Sequence, residues 1–86
     1  MMENSVGGVV IVVEDREKLA PKVNGILTEY GDLIVGRVGL PYREKNKYVI
    51  TIVVDGDVAL VNEMVGKLDS LGEVQVKLAL SGACNP

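Results

Sequence analysis

Four cations crowd the stretch from Arg37 to Lys47. Arg37, Arg43, Lys45 and Lys47 stand there against one acid, Glu44, while the whole chain carries a formal net charge of -3. A basic segment on an acidic chain can receive an anionic ligand or an acidic partner through its local field. Tyr42 and Tyr48 add ring faces and hydroxyl donors. Arg37 stands apart in a β-type pattern between Gly36 and Gly39. Its planar fork suits a carboxylate, on a ligand or on a neighbouring subunit. The competing account is a solvated turn between two strands, with its lysines guarding a sheet edge.

Glu14, Asp15, Arg16, Glu17 and Lys18 form a second charged cluster. A helix starting there would point free amides at an anion. Arg16 and Lys18 would assist, and the three acids would oppose. A charged, solvated helix cap explains the same residues. Asp55, Asp57 and Glu63 are hard-cation donors by type, and capping and solubility account for them equally. Cys84 is a lone thiol on a short tail. Only an oligomer could gather several copies of it into a metal or cluster site.

The absent residues exclude more than the present ones assign. The chain has no His, no Trp and no Phe, and one Cys. Ser-His-Asp and Cys-His units are therefore impossible. A His-rich metal site and an intramolecular disulfide are excluded too. No catalytic residue, metal site or cofactor is expected, which leaves binding, assembly and regulation. The acidic balance argues against direct nucleic-acid binding. The longest apolar stretch, Val6 to Val13, is far short of the ~20 residues of a membrane helix. Met1 to Ser5 carries no basic region, so no signal peptide and a cytoplasmic location are expected.

The elements that must position these residues follow from periodicity. Val6 to Val13 is β-branched and apolar on both alternating faces, which predicts a central strand. Leu19, Val23, Ile26, Leu27 and Tyr30 mark one face of a helix. Asp15 is its predicted cap, Pro21 lies in or near its first turn, and Gly31 ends it. Asp32 to Gly39 reads as a strand, and Leu40-Pro41 weakens pairing before a loop or hairpin arm. Lys47 to Asp55 is a third strand, again apolar on both faces. After a turn at Asp55-Gly56-Asp57, Val61, Met64, Val65, Leu68 and Leu71 repeat at helical spacing up to Gly72. Glu73 to Leu80 alternates with period two, as a half-buried strand does.

The order β-α-β-β-α-β is the split βαβ arrangement. It predicts one α+β domain over residues 1–86, a ferredoxin-like sandwich with its ordered core at about 6–80. Right-handed crossovers place the first and third strands in the middle of a four-stranded antiparallel sheet. Both helices then cover one face. Yet both central strands are apolar on two faces. The uncovered set is read as Val10, Val12, Ile50, Ile52 and Val54, an interface in a homo-oligomer, dimer or tetramer. That oligomer covers the open face or continues the sheet through an edge strand.

Two segments carry a family resemblance. Val13-Glu14-Asp15-Arg16, through Leu19, Val23, Ile26 and Leu27 to Gly31, resembles the first strand-loop-helix of ACT regulatory domains. The resemblance implies a small effector, often an amino acid, bound at a subunit interface, with Asp15 and Arg16 at the effector loop. ACT domains often carry Pro-Gly after the Asp-Arg pair, where this chain has Glu17 and Lys18. The second segment joins Glu29-Tyr30-Gly31-Asp32 to Gly36-Arg37-Val38-Gly39-Leu40-Pro41-Tyr42-Arg43-Glu44-Lys45. It resembles the iron-only hydrogenase system regulators, small ACT-like proteins, over most of the chain. The resemblance implies a role in expression or maturation of that hydrogenase. A related nickel-sensing domain uses His and Cys ligands, and the missing His rules that site out here.

Other functions of the fold fail on particular residues. RNA-recognition motifs need aromatics on the central strands, where this chain is aliphatic. Metal chaperones of this shape need a Cys pair. The Gly36-Arg37-Val38 string leads toward another strand and not into the first helix, which excludes an acylphosphatase loop. The expected function is a non-enzymatic regulatory module that binds a small anionic or amino-acid-like effector, or oligomerises. Arg37, Tyr42, Arg43, Lys45, Asp15 and Arg16 are its candidate ligand residues. The alternative is an assembly protein without a ligand.

Overall fold

Strand β1 spans Asn4–Val13 and runs into helix α1, Arg16–Glu29. A short 3-10 turn, Gly31–Leu33, leads to β2, Ile34–Tyr42. A second one, Arg43–Lys45, leads to β3, Lys47–Asp57. Helix α2, Val58–Asp69, and β4, Val74–Leu80, follow. The computed structural model describes residues 4–81. Cys84 and most of the polar tail lie outside the described residues.

The four strands lie in the order β2-β3-β1-β4, antiparallel throughout. This is the expected ferredoxin-like topology. Each helix turns a stripe to the sheet: Leu19, Val23 and Leu27 from α1, Val61, Met64 and Leu68 from α2. They close over Val9, Ile11 and Val13 of β1 and Ile50, Ile52 and Val54 of β3, all fully buried. Full burial of side chains this size contributes roughly 1.5–3 kcal/mol each.

Several boundaries differ from expectation. Helix α1 starts at Arg16, so Pro21 lies inside it. Pro21 sits on the exposed side, where its missing amide removes one bond to Glu17 without burying an orphan. Strand β2 continues through Pro41 to Tyr42. Asp55 to Asp57 belongs to β3 and does not form a separate turn. Glycine is required at one close approach: a Cβ on Gly7 would lie 2.1 Å from the backbone carbonyl oxygen of Ala79.

Three of the five predicted interface residues are corrected. Residues paired across an antiparallel ladder share a face. Val9 pairs with Ile52, and Ile11 with Ile50. Ile50, Ile52 and Val54 therefore lie under the helices and cannot meet a partner. Val10 and Val12 do lie on the open face, opposite Thr51 and Val49. Alternation in sequence separates two sets per strand but does not say which set the helices cover.

Candidate functional site

The two charged clusters meet at one end of the sheet. Asp15 is the N-cap of α1, and its Oδ1 accepts from the Lys18 amide at 3.2 Å. The same oxygen accepts from Asn46 Nδ2 at 2.9 Å. The Arg16 amide donates to the Asn46 carbonyl, also at 2.9 Å. Lys47 Nζ pairs with Glu14 Oε1 at 2.6 Å. Asn46 holds this junction in the left-handed region, φ 54, which Asn tolerates better than most residues. The β1–α1 loop is thus clamped to the hairpin between β2 and β3.

Tyr42, Arg43 and Lys45 stand exposed around this clamp. Arg16 is half-buried, and its Nε is buried without a hydrogen-bond partner. Arg37 lies elsewhere. It pairs with Ile52 on the helix-facing side of β2. Its guanidinium donates to Asn24 Oδ1 on α1. That separates Arg37 from the other proposed ligand residues. The cause is register: the hairpin turns at Arg43–Lys45, and Arg37 is most of a strand away.

The open face is the second feature. Its rows run Val38–Thr51–Val10–Lys77 and Leu40–Val49–Val12–Gln75 across the four strands. Val38 and Leu40 are 70% and 63% exposed. Val6, Val10 and Val53 are exposed too. Sequence reasoning missed Val38 and Leu40, although their alternation with Arg37 and Gly39 was visible. Lys77 and Gln75 make the β4 side polar.

A third cluster accounts for part of the Glu29–Asp32 motif. Tyr30 is buried, and its hydroxyl donates to Glu63 Oε2 at 2.7 Å. Lys67 Nζ donates to Glu29 Oε2 at 2.8 Å and lies 5.2 Å from the Tyr30 ring centroid. The Glu63 carboxylate, with burial, raises the Tyr30 pKa. Glu29, then Tyr30, raise that of Lys67. The cluster ties α1 to α2 and takes up Glu63. Asp57 caps α2 through the Ala59 amide at 3.0 Å. Among the described residues no three metal-ligating side chains gather, and no pocket opens. None of the described helices is long and apolar enough to cross a membrane.

An antiparallel βαββαβ sheet with two helices on one face defines an ACT-like protein of the ferredoxin-like class. The chain belongs to the TM1266-like family of iron-only hydrogenase system regulators, which it matches over residues 5–78. It is similar to the solved structure of protein TM1266 from Thermotoga maritima, with 37% identity and a TM-score of 0.85. That match covers 91% of this chain and 98% of the other. The ACT domain of a GTP pyrophosphokinase from Chlorobium tepidum superposes at TM-score 0.70 and 16% identity, covering 88% and 86%. A PII-like nitrogen regulatory protein from Thiomonas intermedia, bound to ADP, AMP and bicarbonate, follows at 0.52 and 14%, covering 95% and 94%. These two likenesses concern the fold. No curated protein matches the chain.

Proposed function

We propose that this chain is a single-domain, cytoplasmic, non-enzymatic regulatory module that works as a homo-oligomer and serves the iron-only hydrogenase system. The apolar open face carries this reading. Val6, Val10, Val38, Leu40 and Val53 form a contiguous exposed patch of the kind soluble monomers seldom leave uncovered. A second copy is the natural cover.

The effector end is the clamp formed by Asp15, Arg16 and Asn46, ringed by Tyr42, Arg43 and Lys45. Its cations suit a small anionic or amino-acid-like ligand. Small-molecule sites need concavity. No pocket opens among the described residues, so the ligand would sit between subunits and favour one assembly over another. The PII-like protein, bound to adenine nucleotides and bicarbonate, makes such anions the first probes.

The absent pocket also favours a second reading, an assembly protein without a ligand. A thermal-shift screen of nucleotides, amino acids, bicarbonate and phosphate separates the two. A stabilising hit lost in an Arg16→Ala, Arg43→Ala double variant supports the effector site. No hit, with a specific protein captured instead, supports assembly. A stable monomer by light scattering at micromolar concentration defeats both.

A further inference from the structure

Strand β4 is an edge of the sheet, and its hydrogen-bond parity fixes which of its backbone groups are free. The Ser81 amide donates to the Val6 carbonyl at 2.8 Å, and the Glu14 amide to the Glu73 carbonyl at 2.9 Å. Odd-numbered residues of this segment therefore bond inward to β1. The amides and carbonyls of Val74, Val76, Leu78 and Leu80 point outward. The pairing with β1 runs without a bulge from Val74 to Leu80, and the strand holds no proline. Among the described residues, nothing bonds the outward groups of Val76 and Leu78.

The two faces beside this edge differ. Val74 pairs with Val13 in the core, so the even-numbered side chains of β4 lie on the helix side. Val76 and Leu78 are only half-buried there. Helix α2 packs on β4. Its Val61, Met64 and Leu68 enter the core, while Glu63 and Lys67 reach α1 through Tyr30 and Glu29. At about 100° per residue, Val58 and Val65 fall on the flank away from α1, toward β4. Both are half-buried. Val58, Val65, Val76 and Leu78 thus form an apolar shelf beside free backbone groups. On the open face stand Gln75, Lys77 and Ala79. Lys77 is exposed, is the strand's one charge, and makes no ion pair among the described residues.

A free edge accepts an extended peptide, whose backbone supplies affinity and whose alternate side chains supply specificity. Lysine on an edge discourages a second copy. Self-pairing of β4 about Lys77 would set like charges opposite each other. The same lysine favours a carboxylate. Because Lys77 bonds inward, its outer neighbour stands in the close, non-hydrogen-bonded pair. We infer that β4 is a docking edge for an extended segment of a different protein. The segment runs antiparallel, lays apolar side chains on the α2 shelf and sets a carboxylate opposite Lys77. Val76 and Leu78 bond its backbone. The docked strand leaves the open face and the effector end uncovered, so the inference rests on neither the oligomeric nor the effector reading.

The test uses the full chain and a synthetic peptide that alternates Thr and Val, with Glu at its centre. Hydrogen exchange read by NMR should be fast at the Val76 and Leu78 amides of the free chain and slow when the peptide is added. Lys77→Glu should weaken binding about fivefold. A peptide with Lys in place of its Glu should restore binding to that variant. Val76→Pro deletes an outward amide and no ladder bond, and should abolish binding with circular dichroism unchanged. Exchange unmoved by the peptide would overturn the docking edge, and so would binding indifferent to the charge swap. Val76 and Leu78 amides already slow without peptide, and quickened by dilution, would seat a second copy there and overturn it too. A monomeric chain that still binds the peptide would defeat the oligomeric reading and support this one.

Discussion

Asn46 and Asp15, distant in sequence, share one hydrogen bond of 2.9 Å that ties the β2–β3 hairpin to the cap of α1. Asp15 Oδ1 also holds the Lys18 amide. One carboxylate thus fixes both the helix start and the hairpin beside it. Asn46 supplies an amide donor and a backbone that accepts positive φ.

Replacing Asn46 should separate those two roles. Asn46→Ala loses the bond and strains the left-handed backbone, and should cost about 2 kcal/mol. Asn46→Gly loses only the bond and should cost about 1 kcal/mol. Urea unfolding measures both. Equal losses would mean that the backbone conformation contributes nothing.

The two faces of β3 should respond oppositely to the same change. Val53→Lys on the open face should lower the assembled mass while circular dichroism stays native. Ile52→Lys, one residue away, buries a charge under the helices and should unfold the chain. Light scattering and circular dichroism read the pair. An unfolded Val53→Lys would return that residue to the core.

Glycines divide by their surroundings. Gly7→Ala meets the Ala79 carbonyl oxygen and should destabilise by about 3 kcal/mol. Gly25 and Gly66 lie exposed in helices with no atom near a new Cβ. Alanine at either should stabilise by roughly 0.5–1 kcal/mol. Thermal melts rank the three variants.

The Tyr30 and Lys67 pair predicts alkaline behaviour. Both pKa values are raised from ordinary values of 10.0 and 10.5, so folding favours the protonated forms. The stability they add is complete below about pH 10 and is lost as pH climbs through the raised values. Glu63→Gln should lower the Tyr30 pKa, read by phenolate absorbance. Tyr30→Phe should flatten the alkaline decline in stability. A Tyr30 titration unmoved by Glu63→Gln would assign the shift to burial.

Much of this protein was legible in its sequence. The β-branched runs at Val9–Val13 and Val49–Val54 specify strands because such side chains fit a pleated surface. The spacing of Leu19, Val23 and Leu27 specifies a helix because one face must meet a core. Those periods, with right-handed connection, leave one topology. Asp15 and Asp57 read as caps because a short carboxylate reaches free amides. The family resemblance lay in the Gly36–Lys45 string.

The strand faces and the site were decided only by tertiary structure. Which alternating set the helices cover depends on register, and a one-residue slip exchanges the sets. Ile50, Ile52 and Val54 went to the core, while Val38 and Leu40 became surface. Arg37 turned to Asn24, and Asn46 entered the site without any signal in its spacing. Sequence determines what each segment can form, because local periodicity and charge are written residue by residue. Only the folded ladder determines which residues meet, because pairing joins positions that the chain holds far apart.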